Sequence, residues 1–177
     1  MSLSPQMGVS QTRVDLLTID PGFRYFAYAM FSESEIAYAD ISKTKSEDWE
    51  AWTGQPPSFL EIQDIVSQFE WGTKMAIIEF PQIHRDTPNP NDIVKLASAC
   101  GAYTSLLQRL GFSVVWVRPA EWKGTVPKDV MTKRILAKIK ECEYSRIKNA
   151  KDHNVIDAIG IGLWHLNRKT PPPTTLL

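Results

Sequence analysis

Short apolar runs and longer amphipathic segments follow one another along most of the chain. Three runs come first, Val14–Ile19, Arg24–Phe31 and Glu35–Ile41, and the first ends at the turn Asp20-Pro21-Gly22. Runs of this length, rich in β-branched and aromatic residues and bounded by turn residues, are typical of strands. We predict that they form a three-stranded antiparallel meander.

The rest of the chain alternates two further strands with helices. Apolar runs too short for a helix predict the strands, and apolar residues at helical spacing predict the helices. The strands are Met75–Phe80 and Ser113–Val117, and the helices are Phe59–Phe69, Asn91–Leu110, Val126–Lys140 and Asp152–Leu166. This order predicts an α/β fold with a mixed five-stranded sheet, in which the meander is joined to βα units and helices cover both faces.

The length of 177 residues suits one domain. We expect residues 1–13 to be a flexible arm, residues 14–167 to be the folded domain, and residues 168–177 to be a flexible proline-rich tail. No apolar stretch reaches the ~20 residues that span a bilayer, and the first residues lack the apolar segment of a secretory signal. The two cysteines are not in a metal-ligand spacing. We therefore expect a cytoplasmic protein.

The net charge of zero hides an uneven distribution. Residues 1–70 contain four Lys+Arg and eleven Asp+Glu, a net charge of −7, whereas residues 118–151 contain ten and four, a net charge of +6. A basic third of this kind can bind a polyanion, because charges act locally within a Debye length of ~8 Å. A solvated helix face explains the same charges equally well.

Three acidic residues occupy unusual positions in this pattern. Asp20 ends the first strand, Glu79 lies in the most apolar strand, and Asp157 lies on the mostly apolar face of the last helix. A carboxylate in apolar surroundings is costly unless it is paired or binds a metal. If the three elements converge, their oxygens suit Mg²⁺ or Mn²⁺. For each residue taken alone, a helix cap or a surface position is the alternative.

Four segments of the chain carry recognisable motifs. They are Ile19–Arg24 followed by Ala27–Ala29, Ile77–Glu79, Arg118–Gly124 followed by Pro127-Lys128, and Asp152–Gly160. Together they resemble the motifs of RuvC-type Holliday junction resolvases, within the RNase H-like superfamily, and Trp122-Lys123-Gly124 resembles the phage-encoded branch of that family. The resemblance covers residues 14–167. It implies an RNase H-like fold and a metal-dependent endonuclease that resolves four-way DNA junctions by paired symmetric nicks.

The resemblance also implies roles for the acidic residues. Asp20, Glu79 and Asp157 would hold Mg²⁺ or Mn²⁺, two ions to each site. The family commonly has a fourth Asp or His one turn before the last Asp. His153 shares a helix face with Asp157, four residues later, so we expect it to be a further ligand or a proton shuttle. Asp152 is the alternative, although it is also well placed to cap the helix.

The basic residues of the resembling segments are expected to contact DNA. Lys128 and Lys123 would face the scissile strand, and Lys128 is also expected to stabilise the charge of the transition state. Lys133, Arg134 and Lys138 would widen the basic surface. The loop after the fourth strand, with Phe80, His84 and Arg85, is expected to reach bases or phosphates at the junction centre.

A four-way junction has two-fold symmetry, which a homodimer with two active sites would match. The small side chains of residues 97–102 allow the predicted helix Asn91–Leu110 to pack closely, either against a helix of a second subunit or against the chain's own sheet. Three other functions remain as alternatives: an RNase H-like nuclease acting on structured RNA, a junction-binding module without catalysis, and an actin-like ATPase. The chain is too short for the two lobes of such an ATPase.

Overall fold

The computed structural model describes residues 13–22, 25–43, 59–82 and 90–167. They form five strands, five α-helices and one 3₁₀ helix. The strands are β1 Arg13–Pro21, β2 Tyr25–Ser32, β3 Glu35–Lys43, β4 Glu70–Glu79 and β5 Ser113–Val117. The α-helices are α1 Phe59–Ser67, α2 Pro90–Arg109, α3 Pro119–Trp122, α4 Lys128–Leu136 and α5 His153–His165, and the 3₁₀ helix is Glu141–Arg146.

The strands form one mixed sheet in the order β3-β2-β1-β4-β5. The first three strands pair antiparallel, whereas β1 pairs parallel with β4 and β4 pairs parallel with β5. The meander and the mixed five-stranded sheet predicted from the sequence are therefore confirmed.

Each face of the sheet carries its own hydrophobic core. One core joins the sheet to α4 and α5 through residues such as Phe31, Ile135 and Ile159. The other core joins it to α1 and α2 through residues such as Ile78 and Leu107. Helices thus cover both faces, as the sequence predicts. Polar side chains meet at the ends of the strands, between these two layers of helices.

The two predicted segments that differ most from the structure are β4 and α4. The strand β4 begins at Glu70 and not at Met75, because its polar first half pairs with the start of β1. The helix α4 ends at Leu136 and not at Lys140, and the 3₁₀ helix Glu141–Arg146 follows it. The first half of β4 and the segment after α4 are polar and show no clear periodicity, so the sequence pattern does not predict them.

The 3₁₀ helix covers the edge strand β3. Glu143 is fully buried, and its carboxylate accepts hydrogen bonds from the backbone N–H groups of Ile36 and Lys140, both at 2.7 Å. Lys140 and Arg146 pair with Glu35, at 2.7 and 3.6 Å. Part of the basic third of the chain is therefore used to protect a sheet edge.

Several sequence predictions lie outside the described residues. They are the arm, apart from Arg13 at the start of β1, the proline-rich tail 168–177, and the loop with His84 and Arg85. Within the described ranges, no helix is long and apolar enough to cross a membrane.

Candidate active site

Asp20 and Glu79 lie side by side on the two central parallel strands. Ile19 of β1 pairs with Ile78 of β4, so the next residue of each strand is a carboxylate. Both residues stand at the carboxyl ends of their strands, the usual position of ligand sites in α/β sheets. The sheet register alone therefore brings together two of the three acidic residues that the sequence singles out.

Asp157 reaches the same place from α5. The Thr18 hydroxyl, fully buried on β1, donates a hydrogen bond to the carbonyl oxygen of Ala158 at 2.7 Å. This bond fixes α5 against the strand that carries Asp20, at the residue next to Asp157. Asp157 lies close enough that its charge raises the pKa of Asp20.

Lys123 lies between two of these carboxylates. Its Nζ atom is 3.4 Å from Glu79 Oε2 and 3.4 Å from Asp157 Oδ2. The side chains of Lys123, Glu79 and Asp157 are only 26%, 14% and 13% exposed. One ammonium group is thus enclosed with the three carboxylates, which we call the carboxylate cluster: Asp20, Glu79 and Asp157.

The charges in this enclosure change the pKa values of its members. Burial and the neighbouring carboxylates of Glu79 and Asp157 raise the pKa of Asp20 well above its usual range. Burial also raises the pKa of Glu79, although Lys123 and Trp122 oppose that change. Burial lowers the pKa of Lys123, but the carboxylates outweigh it, so the pKa of Lys123 is raised. The cluster favours added positive charge.

The donor set of the cluster fits a hard divalent cation. Carboxylate oxygens are the ligands that Mg²⁺ and Mn²⁺ prefer, and the Lys123 ammonium shows where the cluster accepts a positive charge. In the described part of the chain, no three Asp, Glu, His or Cys side chains are already gathered at metal-binding distance. Side-chain movements would have to complete such a site.

No protein-family model and no curated protein matches the sequence. Solved structures do match. A Thermus thermophilus RuvC structure shares 14% identity with a TM-score of 0.56, and the match covers 85% of this chain and 92% of that one. T. thermophilus RuvC in complex with a Holliday junction substrate shares 16% identity with a TM-score of 0.55, and the match covers 85% of this chain and 91% of that one. Ydc2, the yeast mitochondrial Holliday junction resolvase, shares 11% identity with a TM-score of 0.56, and the match covers 86% of this chain and 79% of that one.

The chain has the RNase H-like fold of RuvC. The mixed five-stranded sheet, its helices on both faces and three structural matches over most of the chain all agree with the fold expected from the sequence. At these identities the likeness establishes the fold alone. The roles of individual residues depend on the geometry of this chain.

In this RuvC-like fold, His153 is the exposed first residue of α5. Within the described residues, no contact joins it to the carboxylate cluster, so its role as a ligand or proton shuttle stays a prediction. Asp152 is the N-cap of α5, and its carboxylate accepts a hydrogen bond from the backbone N–H of Asn154 at 2.9 Å. The capping role considered for Asp152 is therefore confirmed.

The predicted DNA-contacting lysines lie beside the cluster on α4 and the loop before it. Lys128, the exposed first residue of α4, is near enough that its charge lowers the pKa of Asp20, against the larger effect of burial. Lys133 and Arg134 are exposed in the last turn of the same helix, and Lys138 is partly buried just beyond it. The wider basic surface expected from Lys133, Arg134 and Lys138 stays a prediction.

Phe80 follows Glu79 directly and stacks on Trp116 of β5, with ring centroids 4.5 Å apart. Trp116 is 50% exposed, and its indole N–H donates a hydrogen bond to Thr104 of α2 at 2.8 Å. The aromatic pair therefore lies at the open edge of the sheet on the face that α2 covers, whereas the cluster lies on the face that α5 covers. Arg85, expected to act with Phe80, lies outside the described residues.

Sequence reasoning missed one residue of the site, Trp122. Its indole Nε1–H donates a hydrogen bond to Glu79 Oε2 at 2.5 Å, and its side chain is buried. An available signal was a tryptophan in a charged loop, directly before Lys123. The sequence pattern did not show that this loop folds back over β4.

Proposed function

We propose that the chain is a divalent-metal-dependent endodeoxyribonuclease that cuts four-way DNA junctions by paired symmetric nicks. The observation that carries this proposal is the carboxylate cluster itself. Three carboxylates from two strands and one helix meet at the strand ends and enclose Lys123. A second lysine, Lys128, is near enough that its charge lowers the pKa of Asp20. The RuvC-like fold supports the choice of a junction, because similar structures include a RuvC bound to a Holliday junction substrate.

Asp20, Glu79 and Asp157 would hold the cations, probed as Mg²⁺ or Mn²⁺. Two such ions, when bound, activate a water molecule and stabilise the leaving oxygen of a phosphodiester. Asp20 would contact both ions, and the charges of Glu79 and Asp157 both raise its pKa. We further propose that His153 approaches the cluster from one turn before Asp157 and contributes a ligand or carries a proton.

Lys123 and Lys128 would balance the charge of the cluster and of the scissile phosphate. Lys123 contacts two carboxylates in the structure, so cation binding would let its ammonium turn towards an incoming phosphate. Lys133, Arg134 and Lys138 would bind the flanking backbone, and Phe80 would stack on an unpaired base.

A homodimer would supply the second nick. The outward side of α2 supports this arrangement, because Val94 is 61% exposed and the small residues Ser98 and Gly101 are exposed along the same helix face. A neighbouring helix can approach such a face closely. Ala99 and Cys100 instead pack on the chain's own sheet. The segment of small residues, 97–102, thus contributes to the hydrophobic core with one side of the helix and leaves the other side exposed.

The test is cleavage of a synthetic immobile four-way junction, compared with a linear duplex of the same sequence and a hairpin RNA. Each substrate is incubated with Mg²⁺ and, in parallel, with EDTA. We expect cleavage of the junction alone, lost with EDTA, leaving 5′-phosphate and 3′-hydroxyl ends. Cleavage of the RNA alone would replace the proposal with a structured-RNA nuclease. Tight junction binding without cleavage under any metal condition would indicate a binding module.

A further inference from the structure

Trp122 contacts two of the elements that carry the carboxylate cluster. It is the last residue of α3, and its side chain is only 6% exposed although the surrounding loop is polar. On one side, its indole Nε1–H donates to Glu79 Oε2 at 2.5 Å. A buried tryptophan usually satisfies its N–H with a partner. Here the partner is a member of the cluster.

The indole group is chemically suited to orient a metal-binding carboxylate. It donates one hydrogen bond, carries no charge and has no lone pair that could bind the cation. Among the described residues, the two recorded contacts of the Glu79 carboxylate, from Trp122 and from Lys123, both use Oε2. The hydrogen bond therefore fixes one oxygen of Glu79 and leaves Oε1 for a cation.

The other side of the Trp122 ring packs against the backbone of α5. A Cβ atom added to Gly160 would lie 2.7 Å from Cζ3 of Trp122 and 2.5 Å from Cδ1 of Ile135, so a side chain there would force the elements apart. Gly160 follows Asp157 by three residues, which places both on one side of the helix. The indole ring thus bridges Glu79, at its Nε1 edge, and the helix that presents Asp157, at its Cζ3 edge.

We propose that Trp122 is a positioning residue of the carboxylate cluster: its N–H holds Glu79 in the orientation that binds a cation, and its ring spaces Glu79 from Asp157. The inference rests on the proposed function in one respect, namely that the cluster holds a divalent cation. Trp122 also orients Lys123, whose Nζ lies 4.8 Å from the centre of the Trp122 ring.

The test is Trp122→Phe, which keeps an aromatic ring and removes the N–H donor. Titration of the EDTA-treated full-length protein with Mn²⁺ in a calorimeter measures the affinity. Loss of a partner that orients a metal ligand typically weakens binding about 10- to 100-fold. We expect a loss in this range. We also expect kcat on the junction to fall while KM changes little, and higher Mn²⁺ to restore part of the rate.

Trp71→Phe is the matched control. Trp71 lies at the opposite end of β4, and its indole also donates one hydrogen bond, to the backbone oxygen of Val66 at 2.8 Å. The control loses the same group, an indole N–H donor, at a position away from the cluster. We expect it to bind Mn²⁺ within about twofold of the wild type. Equal affinities for Trp122→Phe and wild type would overturn the inference.

A second measurement does not depend on the metal. The chain has six tryptophans, so its indole N–H groups give six resonances in a ¹⁵N–¹H spectrum, and the one missing in Trp122→Phe identifies Trp122. We expect Glu79→Gln to shift that resonance. An unmoved resonance would overturn the inference. If the resonance moves but the wild type binds no Mn²⁺, the proposed cation site fails, whereas the positioning of Glu79 by Trp122 stands.

Discussion

Replacing Lys123 with methionine tests whether its ammonium acts as the counter-ion of the metal-free cluster. Methionine keeps an unbranched apolar side chain beside Trp122 and removes the charge. The two ion pairs that disappear each span 3.4 Å. At an effective dielectric constant of ~20, each is an attraction of about 5 kcal/mol before desolvation is counted.

The net effect on stability is smaller than this attraction. Burying the ammonium and the carboxylates opposes it, and removing one partner of a fully buried pair typically costs about 3–5 kcal/mol. The side chains here are 13–26% exposed, so solvent screens part of the interaction. We expect a loss of about 1–3 kcal/mol, which lowers Tm by roughly 3–9 °C for a chain of this length.

The assay is thermal denaturation of wild type and Lys123→Met, in EDTA and in saturating Mg²⁺. A divalent cation should replace the missing charge, so the deficit in Tm should shrink when Mg²⁺ is present. Lys151→Met, at an exposed position in the turn before α5, is the control and should leave Tm nearly unchanged under both conditions. An equal deficit with and without Mg²⁺, or no deficit in EDTA, would refute this reasoning.

Three further predictions follow from the same geometry. Asp20→Asn in EDTA should melt roughly 2–6 °C higher than wild type at pH 7 and equally near pH 4, because the raised pKa of Asp20 makes the metal-free protein lose stability as pH rises above about 4. Melting curves check this, and a lower Tm at pH 7 would contradict it. Gly101→Arg should produce a monomer in light scattering, because a large charged side chain would block a close helix contact. It should leave Tm unchanged, because a Cβ atom at this position meets nothing within 4 Å, and an unchanged dimer would exclude this face of α2 as the interface. Changing Lys133 and Arg134 together to methionine should weaken junction binding and reduce the salt slope of log K by about 2; an unchanged slope in a binding titration would remove both residues from the DNA surface.

The fold could be predicted from the sequence because its strands are short, apolar and bounded by clear turns. The run from Val14 to Asp20 and the run up to Glu79 both combine a buried strand with a terminal carboxylate. Because a carboxylate contrasts with the apolar strand before it, Asp20 and Glu79 could be predicted as site residues from the sequence alone. Asp157 stood out for the same reason on an otherwise apolar helix.

The contacts made by the loop between β5 and α4 could not be predicted in the same way. Periodicity describes which side of an element is buried, but it does not say where an irregular segment such as 118–127 returns to the sheet. Lys123 was therefore expected to face DNA, whereas the structure has it between Glu79 and Asp157. The hydrogen bond from Trp122 and the buried Glu143 under β3 depend on tertiary contacts of the same kind.

The central claim is that the carboxylate cluster cuts four-way junctions, and mapping nicks on a junction labelled in all four strands tests it most directly. Wild type, Glu79→Gln and the control Glu70→Gln, an exposed residue at the opposite end of β4, are compared with Mg²⁺. We expect two symmetric nicks in opposing strands from wild type and control. We expect none from Glu79→Gln, although it should still retard the junction in a gel. Undiminished nicking by Glu79→Gln, or junction binding by the wild type without any nick, would contradict the account.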